Sequence, residues 1–175
     1  MFLSDELKSN RSIVLEAIRG DGLSIQYAHR EIKGDKSIAL QAILQSAHAL
    51  NFISDELRDD TELVEIAINK DYQTLRYASF RIVCDREFVL SVLRRYGKAL
   101  EFAGPNLKSD RDVVLTAIHN SGEAVRYIDE ELWQDKDLIV EAVRSSPIIL
   151  VKLRSWFDYF QYNIDELQKL SKHPL

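Results

Sequence analysis

Residues 110–135 read DRDVVLTAIHNSGEAVRYIDEELWQD, a stretch that opens on an aspartate and closes on another 25 positions later. Apolar residues follow Asp110 at +3, +4, +7 and +8 (Val113, Val114, Ala117, Ile118), the spacing of one face of an α-helix. Asp110 stands where a helix needs an acceptor for the free N–H groups of its first turn. Asp112 adds a negative charge at the positive end of the helix dipole. Gly122, at +12, can take the left-handed conformation that ends many helices. A second apolar segment runs through Val125 and Tyr127 to Leu132, just short of Asp135. The stretch reads as two short helices.

The same frame extends along most of the chain. Asn10, Asp35, Asp60, Asp85, Asp110 and Asp135 are evenly spaced, with Leu7, Ile32, Leu57, Ile82, Leu107 and Leu132 three positions before them. Eight before them lies an aromatic column, Phe2, Tyr27, Phe52, Tyr77, Phe102 and Tyr127. Eight after them lies an aliphatic one, Ile18, Ile43, Ile68, Leu93, Ile118 and Val143. Registers held through six copies without an insertion define a tandem repeat. Helices of about eight to ten residues are marginal alone, so such units must stack to bury their apolar faces.

The fold expected is all-α: a helical-repeat solenoid of six 25-residue helix pairs with an atypical C-terminal capping segment. Residues 1–150 form the solenoid, as a half unit 1–9 and units starting near 10, 35, 60, 85, 110 and 135. The aromatic column, Tyr77 and Phe102 included, is expected to pack between neighbouring units. After Leu150 the aromatic register falls on Lys152 and the cap register on Phe160, while Trp156, Phe157, Tyr159, Phe160 and Tyr162 crowd together. Residues 151–175 therefore read as an aromatic cap and tail, with a binding platform as the rival reading.

At these columns the chain resembles a family known as domain of unknown function 4116, whose units run D+xVVLxAVxxxGxALxYAsxxLxxD. The strings that carry the likeness are Asp110-Arg111-Asp112-Val113-Val114-Leu115-Thr116-Ala117-Ile118 with Gly122 and Tyr127, and Gly97-Lys98-Ala99-Leu100-Glu101-Phe102-Ala103. The resemblance spans roughly residues 2–150. It implies the helical repeat, and brings no catalytic residue, cofactor or partner with it.

Composition narrows the function. The 175 residues are 46% hydrophobic and 29% charged, as in a folded globular chain rather than a disordered one. A single cysteine, Cys84, cannot build a disulfide framework or a multi-cysteine zinc site, which points to a reducing, cytoplasmic setting. No apolar run approaches the ~20 residues of a membrane span, and Met1–Asn10 lacks the pattern of a secretion signal. A net charge of −5 disfavours general binding to nucleic-acid phosphates.

Nor does the sequence hold a phosphate loop, a dinucleotide fingerprint, a nucleophile elbow or a paired-histidine metal motif. His29, His48, His119 and His173 are isolated from one another, so no enzyme activity, cofactor or metal is expected. Arg11, Lys36, Arg86, Arg111 and Lys136 follow their caps directly. They could line up as phosphate contacts, but the reading preferred is pairing with nearby acids such as Glu6, Glu31, Glu56 and Glu131.

The apolar positions of the first helix cover about 200° of its circumference, leaving a strip at +2, +6 and +9 for solvent. The +9 column is Arg19, Leu44, Asn69, Arg94, His119 and Arg144, and the +6 column holds Ile66. Leu44 and Ile66, flanked by arginines, have the composition of an interaction hot spot. A slight rotation of the helix that exchanges Glu65 and Ile66 is the competing reading. The expectation is a non-enzymatic protein-binding module, a scaffold, adaptor or inhibitor, contacting a protein partner through Arg19, Leu44, Ile66, Asn69, Arg94, His119 and Arg144. Recognition of nucleic acid or a phosphorylated ligand through the arginines is the alternative, as is self-association through the N-terminal edge.

Overall fold

The computed structural model describes residues 4–172 and, among these, contains helices and no β-strand. Phe2 of the aromatic column and His173 lie outside the described residues. The chain divides into two compact units, Met1–Ile82 and Val83–Leu175. The first holds α1 (Arg11–Gly20), α2 (Lys36–Gln45) and α3 (Thr61–Lys70). The second holds α4 (Arg86–Leu93), α5 (Arg111–Asn120) and α6 (Lys136–Ser145). Each starts at its predicted cap: Asp110 accepts hydrogen bonds from the backbone N–H groups of Asp112 at 3.0 Å and Val113 at 3.2 Å. Asn10, Asp35, Asp60 and Asp135 do the same for their helices, and Asp85 accepts from Phe88 alone.

The second half of each copy is not the single helix expected. Gly22–Tyr27 is a 3₁₀ helix, Ala28 and His29 are extended, and Arg30–Lys33 forms one separate α turn. Ala47–Phe52, Tyr72–Tyr77, Gly97–Phe102 and Gly122–Tyr127 are likewise 3₁₀. The cause is a three-residue period. Residues i and i+3 eclipse in a 3₁₀ helix, and Gly22, Ile25 and Ala28 are buried on one line, as are Ala47, Leu50 and Ile53, or Gly122, Val125 and Ile128.

That period also displaces the aromatic column. Its residues lie two positions beyond the buried Ile25, Leu50, Leu75, Leu100 and Val125, off the inward line. Tyr27 is 61% exposed and Phe52, Tyr77, Phe102 and Tyr127 are half-buried, Tyr77 meeting His48 of the preceding copy edge-on at 5.9 Å. The guanidinium groups of Arg76 and Arg126 lie over the rings of Tyr77 and Tyr127.

Within each unit, successive copies are joined in two ways. The extended residue after each 3₁₀ helix donates its N–H to the copy before: His29 to the Lys8 carbonyl (3.0 Å), Ser54 to Lys33 (3.0 Å) and Ser79 to Arg58 (2.9 Å) in the first unit. Gly104 to Val83 (2.8 Å) and Asp129 to Lys108 (3.0 Å) repeat the bond in the second. These loop donors are thus satisfied by the stack itself. The glycines make the second joint. None has a positive φ, so the left-handed role expected of Gly22, Gly97 and Gly122 is wrong. A Cβ on Gly22 would lie 2.5 Å from the Ala42 carbonyl and 2.8 Å from the Ser46 nitrogen. One on Gly97 or Gly122 would strike the carbonyl of Ala117 or Ala142. Each glycine lets a 3₁₀ helix rest on the backbone at the end of the next long helix.

The end of the second unit is closed by α7 (Arg154–Tyr159) and α8 (Ile164–Leu170). Trp133 is wholly buried, with its ring stacked on Trp156 at 5.1 Å and on Phe160 at 5.3 Å, and Phe157 edge-on at 6.1 Å. The Tyr162 hydroxyl donates to the Trp133 carbonyl at 2.7 Å. Helix α8 packs on α6 in the manner of a further long helix. Its cap is Asn163, which accepts from the Glu166 N–H at 3.0 Å, and not the register position Phe160. Three extra residues let the aromatic cluster turn over Trp133 first.

Candidate functional site

The +9 residues form one row on each unit. In the first, Arg19, Leu44 and Asn69 are exposed on α1, α2 and α3, which pack side by side. In the second, Arg94 follows the last residue of α4, His119 lies on α5 and Arg144 on α6, the last of them half-buried. Leu44 is 55% exposed. Ile66 is not its exposed companion: it is half-buried while Glu65 is exposed. The fully buried face of α3, Leu63, Val64, Ala67 and Ile68, keeps the register of α2 and α5, so the helix is not rotated, and Ile66 is partly covered at its edge.

The main chain beneath the row is held by side chains from the following copy. Gln45 donates to the Arg19 carbonyl at 3.3 Å, the Lys70 ammonium to the Leu44 carbonyl, and Asn120 to the Arg94 carbonyl at 3.0 Å. These carbonyls sit at helix C-termini, where no intrahelical donor remains. The row thus stands on a fixed backbone. Its charges are largely compensated locally. Arg19 pairs with Glu16 at 2.9 Å, Arg144 pairs with Glu141, and His119 lies 3.5 Å from Glu141.

The basic column pairs with acids, but its partners are not the glutamates expected. Arg86 reaches Asp110 at 2.9 Å, Arg111 reaches Asp135 at 2.7 Å, Lys36 reaches Asp60 at 2.7 Å, and Arg11 pairs with Asp35. Each of these four cap carboxylates therefore serves its own helix with one oxygen and the preceding copy's cation with the other. Lys136 continues the pattern onto Glu166 at 2.5 Å. Among the described residues no group of three His, Cys, Asp or Glu side chains could hold a metal ion.

These pairs leave a pH signature. The Ser37 hydroxyl and the Arg11 guanidinium hold Asp35 at a pKa of about 2, below its ordinary 3.8. Lys152 and Lys98, 2.5 and 2.6 Å away, hold Glu123 at about 2, below 4.5. Burial raises Asp110 and Asp135, but hydrogen bonds from Arg86 and Arg111 outweigh it and leave both lowered. A carboxylate whose folded pKa is depressed stabilises the fold above its unfolded pKa and loses that contribution as pH falls through the folded one. The thermal midpoint should therefore hold steady down to about pH 5 and fall between about pH 4 and 2. A melting series read by helical circular dichroism checks this, and Glu123→Gln should flatten part of the acid limb.

The repeat geometry and the residues that carry it are matched by one family. The model of Domain of unknown function (DUF4116) matches residues 1–33, 35–82, 85–133 and 111–157. The chain belongs to the DUF4116 family. The four segments follow the copies of the repeat, so the cap ladder, the 3₁₀ joints and the exposed row lie within DUF4116 sequence. No curated protein and no solved structure matches the chain.

Two features of this DUF4116 chain escape a column-by-column reading. Trp133 stands where earlier copies have Lys8, Lys33, Arg58, Val83 and Lys108. That change of residue type is the available sign that the stack ends there. The groove beside it, between Ile128 and α7, is lined by aromatic rings where the cavity between two earlier copies is lined by Arg30, Lys33, Ser54, Asp55 and Glu56.

Proposed function

We propose that the protein is a non-enzymatic binding module that presents the +9 row to a protein partner. One observation carries the reading: Leu44, a large apolar side chain, stands exposed at the centre of a polar row whose backbone is pinned by Gln45 and Lys70. Exposed single leucines are common on protein surfaces. An anchor held on packed helices between polar neighbours has the form of an interface centre with its rim. Arg19 and Asn69 are the polar positions beside it in the first unit's row, and Arg94, His119 and Arg144 are those of the second unit's row. The single cysteine supports action in a reducing cytoplasm. No helix among the described residues is long and apolar enough to cross a membrane.

Nucleic-acid or phosphate recognition is the weaker reading, because Arg19 and Arg144 already face Glu16 and Glu141 and the net charge is −5. Self-association has one observation in its favour. Ile13 is 44% exposed, whereas Ile38, Leu63, Val113 and Leu138 at the same register are fully buried. Sedimentation across a concentration series, with Ile13→Glu as control, decides that reading.

The double variant Leu44→Asp with Arg94→Glu tests the main proposal. It should abolish capture of the partner from a host extract while the thermal midpoint stays nearly unchanged, since exposed substitutions shift stability by about 0.5 kcal/mol. Capture that persists in the variant would move the site elsewhere.

A further inference from the structure

The groove beside the C-terminal cluster has a chemistry of its own. It is a cavity of about 460 Å³ lined by Ile128, Glu130, Ser155, Trp156 and Tyr159. Trp156 is stacked on buried Trp133 at 5.1 Å and lies nearly parallel to Phe160 at 6.3 Å, yet the residue is 43% exposed and lines the groove. Tyr159 is 70% exposed and meets Phe160 edge-on at 4.9 Å, with an interplanar angle of 89°. No basic side chain lines the groove. Its one charged group is the Glu130 carboxylate, which forms no ion pair among the described residues and sits in the exposed acidic run Asp129-Glu130-Glu131.

Aromatic walls with an unpaired carboxylate form an environment that attracts cations and gains little from anions. The ring quadrupole draws a cation to the face of an indole or phenol, and the carboxylate adds a full charge and a hydrogen-bond acceptor. We propose that this groove binds the cationic head of a basic side chain, an arginine guanidinium or a lysine ammonium, presented by a partner protein. Trp156 supplies the platform, Tyr159 a second aromatic ring from the same helix and Glu130 the counter-charge. The site is separate from the +9 row, so either proposal can fail alone.

The test uses the full-length chain and two probes of nearly equal shape, N-acetyl-arginine amide and its neutral isostere N-acetyl-citrulline amide. The readout is the pair of indole N–H resonances in a ¹⁵N spectrum, with Trp156 reporting on the groove and buried Trp133 as internal reference. The arginine probe should shift the Trp156 signal saturably, with a dissociation constant on the order of millimolar for one cationic head group. Citrulline should leave it in place. Glu130→Gln and Tyr159→Ser alter exposed side chains outside the Trp133 stack, and each should weaken the arginine response by about fivefold or more. Trp156→Ala is not used, because it also removes a ring from the stack over Trp133. Equal shifts from both probes, an unchanged response in Glu130→Gln, or no Trp156 shift with arginine would each overturn the proposal.

Discussion

Trp133→Ala is expected to destabilise the second unit by about 3–5 kcal/mol, the largest effect of any single substitution in the chain. The ring is wholly buried and in contact with Trp156, Phe157 and Phe160, so its loss opens a cavity that three other rings share. The bond from Tyr162 to the Trp133 carbonyl would remain available, but the ring that positions α7 would be gone. Urea unfolding followed by circular dichroism should show the midpoint drop, and the half-exposed Trp156 should cost distinctly less when replaced. Equal costs at the two positions would mean that the cluster is a surface patch and not the closure of the stack.

Gly122→Ala is the second large effect, expected at about 1–3 kcal/mol as an overpacked backbone contact. A methyl there meets the Ala142 carbonyl and the Ser146 nitrogen, which are main-chain atoms and cannot swing aside. Ala47 holds the same register in the second copy, which shows that a methyl can be accommodated with adjustment and keeps the expected cost below that of an outright clash. Gly20→Ala is the matched control. Gly20 ends α1 with no atom within 4 Å of the place a methyl would take, so alanine should be neutral or stabilising by about 0.5 kcal/mol through helix propensity. Thermal melts of the two variants separate steric approach from backbone freedom as the reason for glycine.

The helix starts are legible in the sequence because capping is local. Asp110 and its counterparts act on N–H groups two and three residues away, so a sequence column carries the whole interaction. The second half of each copy reads wrongly for a different reason. Gly22, Ile25 and Ala28 recur at three residues, and over six positions a period of 3.0 is hard to tell from 3.6. Reading that segment as an α-helix carries the aromatic column inward, when Tyr27 and its counterparts lie off the buried line.

The glycine role and the partners of the basic column both depend on the neighbouring copy. Gly122 answers to Ala142, twenty positions on, and Arg111 answers to Asp135, twenty-four positions on. Neither contact is visible in the local sequence, although the regular spacing permits it. Of the candidate positions, Leu44 lies on the exposed face as helical periodicity expects, and Ile66 is half-buried beside it. The Glu65–Ile66 order in α3 departs from the other copies, and only packing decides how far each is covered. The groove at Trp156 lies beyond the repeat, where periodicity gives no guide.

Main-chain bonds outside the helices join the copies within each unit, and those joints hold the exposed row in place. Native-state hydrogen exchange at His29, Ser54, Ser79, Gly104 and Asp129 measures them directly. All five amides follow a 3₁₀ helix and point at the carbonyl of the preceding copy, at 2.8–3.0 Å. Protection comparable to that of amides inside α2 and α5 is the predicted result. Exchange at the rate of an open loop in all five would contradict it, and with it the claim that successive copies form a continuous, rigid surface within each unit.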